Sequence, residues 1–503
     1  MSNPLHDNLF APHEERTETL LHLPGGDGLT HADFAARAAK MAGALTDHGL
    51  RPGDRLACQI RKSADALALY AASVRAGLVL VPLNTAYTAA EIAYFVSDAQ
   101  ASMLICDPGD AEALAPVAAA SDTRLMTLGP DGSGALAEAT SSAEPIAPVA
   151  RAGTDLAAFL YTSGTTGRSK GAMLSQDNLL SNARALTDAW RFTADDVLIH
   201  ALPIFHTHGL FVAVNITLAA GGAMIWLPTF RAEIALAAMP LATTMMGVPT
   251  FYTRLLAEPG LTRNATAHMR LFVSGSAPML PETHRQWTDR TGFRILERYG
   301  MTETNMISSN PYSGDRRPGT VGLPLPGVDL RICQPGTADP VPEGETGMIE
   351  VRGPNVFRGY WRMPEKTAAE LRKDGWFVTG DLGRRDADGY LSIVGREKDL
   401  VISGGFNIYP QEVEEVLNGL PGVVESAVVG VPHADMGEGL VAIVVPYGDT
   451  PPDLSALRDA AAERLARFKQ PRVYVIAAEL PRNAMGKVQK AELRRRHANA
   501  FSP

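Results

Sequence analysis

The sequence predicts an α/β protein: a large N-terminal domain of layered α/β sheets with a β-rich subdomain, then a small α+β C-terminal domain. Three observations carry this. A chain of 503 residues is longer than one hydrophobic core can fill. From Phe34 onward, short apolar runs alternate with stretches of helical period, the pattern of largely parallel strands with helices between them. After about Asp329 this gives way to short β segments between Gly- and Asp-bearing turns.

Taken in order, residues 34–49 repeat apolar positions at helical spacing and stop at Gly49. Arg51-Pro52-Gly53-Asp54 is a turn into a strand at 55–60. A helix is expected at 63–77, a buried strand at 78–83, a helix at 89–99 and a strand at 101–106. Residues 107–154, full of Ala, Gly, Ser and Pro, carry weaker order signals. Next come a helix at 179–190, strands at 197–203, 243–248, 269–274 and 294–299, and an apolar helix-then-strand stretch at 211–227. Several of these strands finish in polar, Gly-bearing turns, and in open α/β sheets the ligand crevice lies beyond such carboxyl ends. The tail has strands at 426–430, 439–446 and 473–476 and a helix at 454–467. The N-terminal domain is therefore expected at 1–397, its β-rich subdomain at about 329–397, and the C-terminal domain at 398–503.

A formal net charge of −9 gives no footing for nucleic acid or an anionic membrane, so anionic substrates need local positive charge. Cys58, Cys106 and Cys333 lie far apart without metal-ligand spacing, which argues against a disulfide framework or zinc. No apolar run reaches the length of a membrane span, and the N-terminal residues lack a signal-peptide core, so a cytoplasmic protein is expected.

Leu160–Gly171 reads LYTSGTTGRSKG, an apolar run breaking into glycines, hydroxyls and two cations. Glycines let backbone N–H groups approach an anion, hydroxyls donate to phosphate oxygens, and Arg168 and Lys170 add charge. The ligand this composition fits is a polyphosphate. It is not a Walker loop, because Arg168 and Ser169 stand between Gly167 and Lys170.

Further strings follow in order: ALPIFHTHGL, VSGSAP, ERYGMTET, TGD, GREKD, SGGFNIYP and PRNAMGKVQK. Together with the loop they resemble the acyl-CoA synthetases of the adenylate-forming superfamily over nearly the whole chain. The resemblance implies a two-step reaction: a carboxylate attacks the α-phosphorus of ATP to give acyl-AMP and pyrophosphate, then CoA thiolate displaces AMP. It implies that Thr162, Ser163, Gly164, Thr165, Thr166, Gly167 and Lys170 cradle phosphate, and that Thr302 and Glu303 hold phosphate and Mg²⁺. Gly275, Ser276 and Ala277 would lie along the adenine, Tyr299 would stack on it, and Asp381 and Arg396 would contact the nucleotide. Lys487 matches the catalytic lysine of adenylation, Lys398 the hinge residue of a C-terminal domain that the resemblance implies is mobile, and Gly404 and Gly405 the glycines of the CoA tunnel. An acetyltransferase and deacetylase acting on Lys487 are possible partners, since acetylation would remove its charge.

The acid is read from the pocket-lining positions. Arg298 stands where relatives often have a small residue, and alternation along 269–274 puts Arg270, Phe272 and Ser274 on one face. Arginine binds a carboxylate through two charge-assisted hydrogen bonds. HTHGL with ERYGMTETN resembles the malonyl-CoA synthetases, which implies malonate or methylmalonate as substrate, with His206, Thr207 and Met301 bordering a short pocket. Either Arg298 or Arg270 could hold the distal carboxylate, and structural ion pairs are the competing reading for both. Alternatives are another short-chain or aryl acyl-CoA synthetase, a stand-alone enzyme loading a carrier protein, and a non-catalytic nucleotide-binding relative.

Overall fold

The computed structural model describes residues 2–26, 28–162, 169–404, 406–447, 452–483 and 486–501. Ser163, Gly164, Thr165, Thr166, Gly167, Arg168 and Gly405, expected at the phosphate loop and CoA tunnel, lie outside the described residues.

Two sheets organise the first compact unit, Met1–Asp329 with Val351–Phe377. One has six strands in the order Arg124–Thr127, Met103–Cys106, Arg55–Gln59, Val79–Pro82, Leu156–Thr162 and Lys170–Ser175. The first five run parallel and the last pairs antiparallel, so the phosphate-loop string joins two strands of one hairpin. Val79–Pro82 and Met103–Cys106 are buried throughout, which explains their unbroken apolar sequence. The crossover helices start on side-chain caps: Ser63 accepts from Ala66 N–H, and Thr88 with Glu91 forms a capping box.

The other sheet has nine strands, ordered Leu323–Pro324, Asn305–Ser309, Leu296–Met301, Leu271–Ser274, Thr244–Gly247, Val197–His200, Ala223–Trp226, Thr19–His22 and Gly28–Thr30. From Leu296–Met301 to Thr19–His22 it is parallel, with antiparallel edges. Phe272, Tyr252 and Trp287 meet edge-to-face in the core on one side, with ring centroids 4.9–5.0 Å apart. Each such ring taken out of water contributes about 2–3 kcal/mol, and the parallel strands are held flat against their helices by these contacts.

The second unit is Leu330–Glu350 with Val378–Pro503, so residues 329–397 are shared between the units. Phe377–Arg385 and Leu391–Arg396 pair antiparallel. A five-stranded sheet is built on the long hairpin Val423–His433 and Gly437–Pro446, with Val473–Ile476 added in parallel. The helices Pro410–Asn418 and Leu454–Arg464 cover one face through Val413, Leu417, Leu457 and Ala461.

Three stretches differ from expectation. Residues 107–154 hold two helices, Ala111–Ala120 and Ala135–Ser142, and the edge strand Arg124–Thr127. Their alanine-rich composition hides the helical period because only Leu114, Ala118, Leu136 and Thr140 of those helices are buried. His208–Val214 is a π-helical turn that runs into the expected helix, Asn215–Ala220, and strand, Ala223–Trp226, and Asn305–Ser309, where no element was expected, returns antiparallel to Leu296–Met301.

Candidate active site

The parallel register sets Gly247 beside Ser274 and Ser274 beside Glu297. The turns that follow these strands therefore open at one end of the sheet. Gly275 and Arg298 meet there. A Cβ on Gly275 would fall 2.4 Å from Arg298 Cζ, so only glycine leaves room for the guanidinium. Arg298 is 4% exposed, and its Nε and Nη2 have no hydrogen-bond partner among the described residues. Burial pulls its pKa down to about 9. Glu297 does not pair with it; successive strand residues face opposite sides, and Glu297 takes the Gly319 N–H, with burial raising its carboxyl to about 8.

His206–Gly209 closes over the same place. His208 Nδ1 lies 3.2 Å from Ser276 Oγ, and Ser276 itself holds a left-handed backbone, φ 72°. The His206 ring accepts the His208 N–H at 3.2 Å. Burial first, and then the Arg298 charge, keeps His208 far below the usual imidazole range, so its ring is neutral. His208 Nε2, Thr207 Oγ1 and Ser274 Oγ are buried without partners among the described residues. A buried polar atom left unpaired costs about 1–3 kcal/mol. Gathered around a guanidinium, these groups are arranged to receive an anion bearing more than one oxygen. His208 was quoted in the HTHGL string without a role; two-residue spacing from His206 is the signal that it turns toward the same loop.

Arg270 goes elsewhere. It precedes the strand Leu271–Ser274, and its Nε and Nη2 grip Asp196 at 2.7 and 2.6 Å while its plane lies 5.3 Å from the Tyr312 ring. Phe272, expected on the same pocket-facing side, is fully buried against Trp287 and Phe293. Of that face only Ser274, at the strand end, reaches the pocket group.

Glu303 is buried and accepts from the Tyr360 hydroxyl at 3.0 Å, with Thr162 Oγ1 at 3.5 Å. Burial raises its pKa, against the opposing charge of Lys170. Tyr360 also reaches Glu370 at 2.6 Å, and Lys170 lies 3.4 Å from Glu370 and 4.1 Å over the Tyr360 ring. Tyr360 and Glu370 gave no sequence signal, since neither lies in a glycine-bearing turn after a parallel strand. Among the described residues no group of three or more acidic, His or Cys side chains could hold a metal by itself. One carboxylate beside hydroxyls nevertheless fits Mg²⁺, which binds proteins through one or two carboxylates and completes its shell with phosphate and water. Thr302 and Met301, half-buried at the end of Leu296–Met301, and Tyr299 stand on the same segment.

In the second unit Asp381 and Arg396 are register partners and ion-paired at 3.0 Å. Lys398 lies in a 3₁₀ turn, Glu397–Asp399, where burial and then Arg396 lower its pKa. Gly404 has φ 58° and donates to Met436 O at 2.9 Å. Lys487 is exposed; its N–H donates to Asn483 Oδ1 and its carbonyl accepts from Asn483 N–H, both at 3.0 Å.

Residues 11–361 match the model of the AMP-binding enzyme family, and 412–487 that of the AMP-binding enzyme C-terminal domain. The structure of ATP-bound MatB from Rhodopseudomonas palustris superposes with a TM-score of 0.98 at 54% identity, covering 100% of both chains. A feruloyl-CoA synthase from Amycolatopsis is 38% identical over 94% of each chain. A malonate–CoA ligase from Arabidopsis thaliana is 34% identical over 89% of this chain and 78% of its own. By the match of these two models to residues 11–361 and 412–487, the chain belongs to the AMP-binding enzyme family.

Proposed function

We propose that this enzyme is an ATP-dependent ligase that joins malonate to CoA through an acyl-adenylate, releasing AMP and pyrophosphate. The observation that carries the reading is Arg298: a buried guanidinium with two unpartnered nitrogens, flanked by unpartnered atoms of Thr207, His208 and Ser274. A fatty or aryl acid would leave that cation and the polar atoms around it unanswered. A dicarboxylate answers it with its spare end while the other end reacts. The name of the Arabidopsis relative supports the same acid. The feruloyl-CoA synthase supports the ligase chemistry with a monocarboxylate, which is the competing reading.

The first step brings a carboxylate against a triphosphate, so repulsion between anions sets much of its barrier and fixed positive groups lower it. Lys170 supplies charge at the phosphate loop, and Lys487, by the resemblance of its motif, supplies a mobile cation to adenylation. Glu303 with Thr302 would hold Mg²⁺, which would neutralise phosphate charge when bound. Asp381 and Arg396 would take the nucleotide, Gly275, Ser276 and Ala277 would lie along its base, and Tyr299 would stack on it. Thr207 and Met301 would limit the α-substituent, and His206 would border the acid. A domain boundary at 397–398, hinged at Lys398, would let Gly404 and Gly405 face CoA in the second step.

The test is AMP formation with CoA across a panel of malonate, methylmalonate, propionate, octanoate, benzoate and ferulate. Malonate is expected to give the highest kcat/KM. Turnover of ferulate or benzoate with none of malonate would refute the proposal.

A further inference from the structure

Lys62 follows the strand Arg55–Gln59, and His200 ends the strand Val197–His200 of the other sheet. Lys62 Nζ lies 2.7 Å from His200 Nδ1 and 2.7 Å from the His200 carbonyl. It also sits 4.2 Å over the Trp226 ring, against which the His200 ring packs at 4.6 Å. Among the described residues no carboxylate lies within ion-pair distance of Lys62. A lysine this enclosed ordinarily meets an acid; this one meets an imidazole instead.

The contacts select one tautomer. The Gly209 carbonyl, 2.9 Å from His200 Nε2, only accepts, so Nε2 carries the proton and Nδ1 accepts from the Lys62 amine. Gly209 follows His208 directly, and a Cβ there would fall 2.0 Å from Pro203 O, so the backbone of this turn is pressed against its neighbour. His200 is thus a strut between Lys62 and the turn that carries His206, Thr207 and His208.

We infer that Lys62 is a positioning residue for acid recognition: through His200 it holds the Gly209 carbonyl, and with it the Thr207–His208 turn, at the height at which Thr207 and His208 meet the substrate beside Arg298. The inference rests on the proposed function for the identity of the acid. Among the described residues the contacts of Lys62 are with His200 and Trp226, not with Lys170, Thr302 or Glu303 of the proposed ATP site. Its loss should therefore weaken acid binding and leave ATP binding alone.

The test compares wild type, Lys62→Met and Lys62→Arg in the full-length enzyme by ATP–pyrophosphate exchange, varying malonate and ATP separately. Methionine keeps the apolar contact with Trp226 but cannot donate, whereas arginine keeps both the donors and the cation over the ring. Lys62→Met is expected to raise the malonate KM about ten-fold, with kcat and ATP KM within about two-fold, because a positioning error of about an ångström costs up to a hundred-fold. Lys62→Arg should recover most of the loss. An unchanged malonate KM in Lys62→Met overturns the inference. So does a parallel rise of both KM values with a fall in melting temperature, which would mark a general packing role. A wild-type enzyme that activates some other acid overturns the substrate reading alone, and the same KM comparison with that acid then decides the role of Lys62.

Discussion

Arg298 is a buried cation that the described residues leave without an acid, held in a space that a side chain at position 275 would enter. Such a group destabilises the protein that carries it, so it is explained by what it binds. Replacing it should therefore separate stability from function. Arg298→Met is expected to raise the melting temperature of the ligand-free enzyme by about 2–4 °C, since an unpaired buried charge is removed. A lower melting temperature, measured calorimetrically, would mean that the guanidinium has an intramolecular partner. At this scale the sequence was legible where chemistry is contiguous. The strings around Thr302–Glu303 and Lys487 carry their expected roles by resemblance to contiguous motifs, whereas the competing pair of Arg298 with Glu297 was set aside only by the structure. The sequence was not legible where a partner is distant. Arg270 and Asp196 are 74 residues apart, and nothing local distinguishes an arginine bound for a pocket from one bound for an ion pair.

That ion pair belongs to the element scale. It ties the start of the strand Leu271–Ser274 to the turn before Val197–His200, where Thr243 Oγ1 also donates to Asp196 at 2.7 Å. Burial pushes the Asp196 carboxyl up, but the hydrogen bonds from Arg270 and Thr243 more than offset it, leaving a pKa below the usual carboxylate range. A depressed pKa contributes stability that is present above the unfolded value and lost as pH falls through the folded one. Arg270→Ala should cost about 2 kcal/mol at neutral pH, below the full price of a buried pair because Arg270 is a quarter exposed. Chemical denaturation should show that deficit shrinking as pH drops through the carboxylate range; a deficit independent of pH would contradict the assignment. The malonate KM should stay within about two-fold of wild type, the opposite of what Arg298 variants should do. The elements themselves were readable where apolar runs alternate with helical period. The hairpin around the phosphate loop and the antiparallel return at Asn305–Ser309 were not, because strand direction is set by pairing rather than by local sequence.

At the scale of the molecule, two compact units each carry part of the proposed chemistry: the acid pocket and Glu303 in one, and Asp381, Arg396, Lys398 and Lys487 in the other. Lys487→Ala should slow malonate-dependent ATP–pyrophosphate exchange about a hundred-fold or more, with melting unchanged within about a degree because Lys487 is exposed. Exchange at the parent rate would remove Lys487 from adenylation. Lys398→Pro, which limits backbone rotation at the proposed hinge, should spare exchange and slow thioester formation; equal slowing of both would argue against a hinge there. The account as a whole stands on the pairing of a guanidinium with a second carboxylate. Its most direct test is the ratio of kcat/KM for malonate over propionate, measured in wild type and Arg298→Met. We predict a strong preference for malonate in wild type that falls about a hundred-fold in the variant, as expected from about 3 kcal/mol of charge-assisted hydrogen bonding. A ratio that survives the substitution would contradict the account.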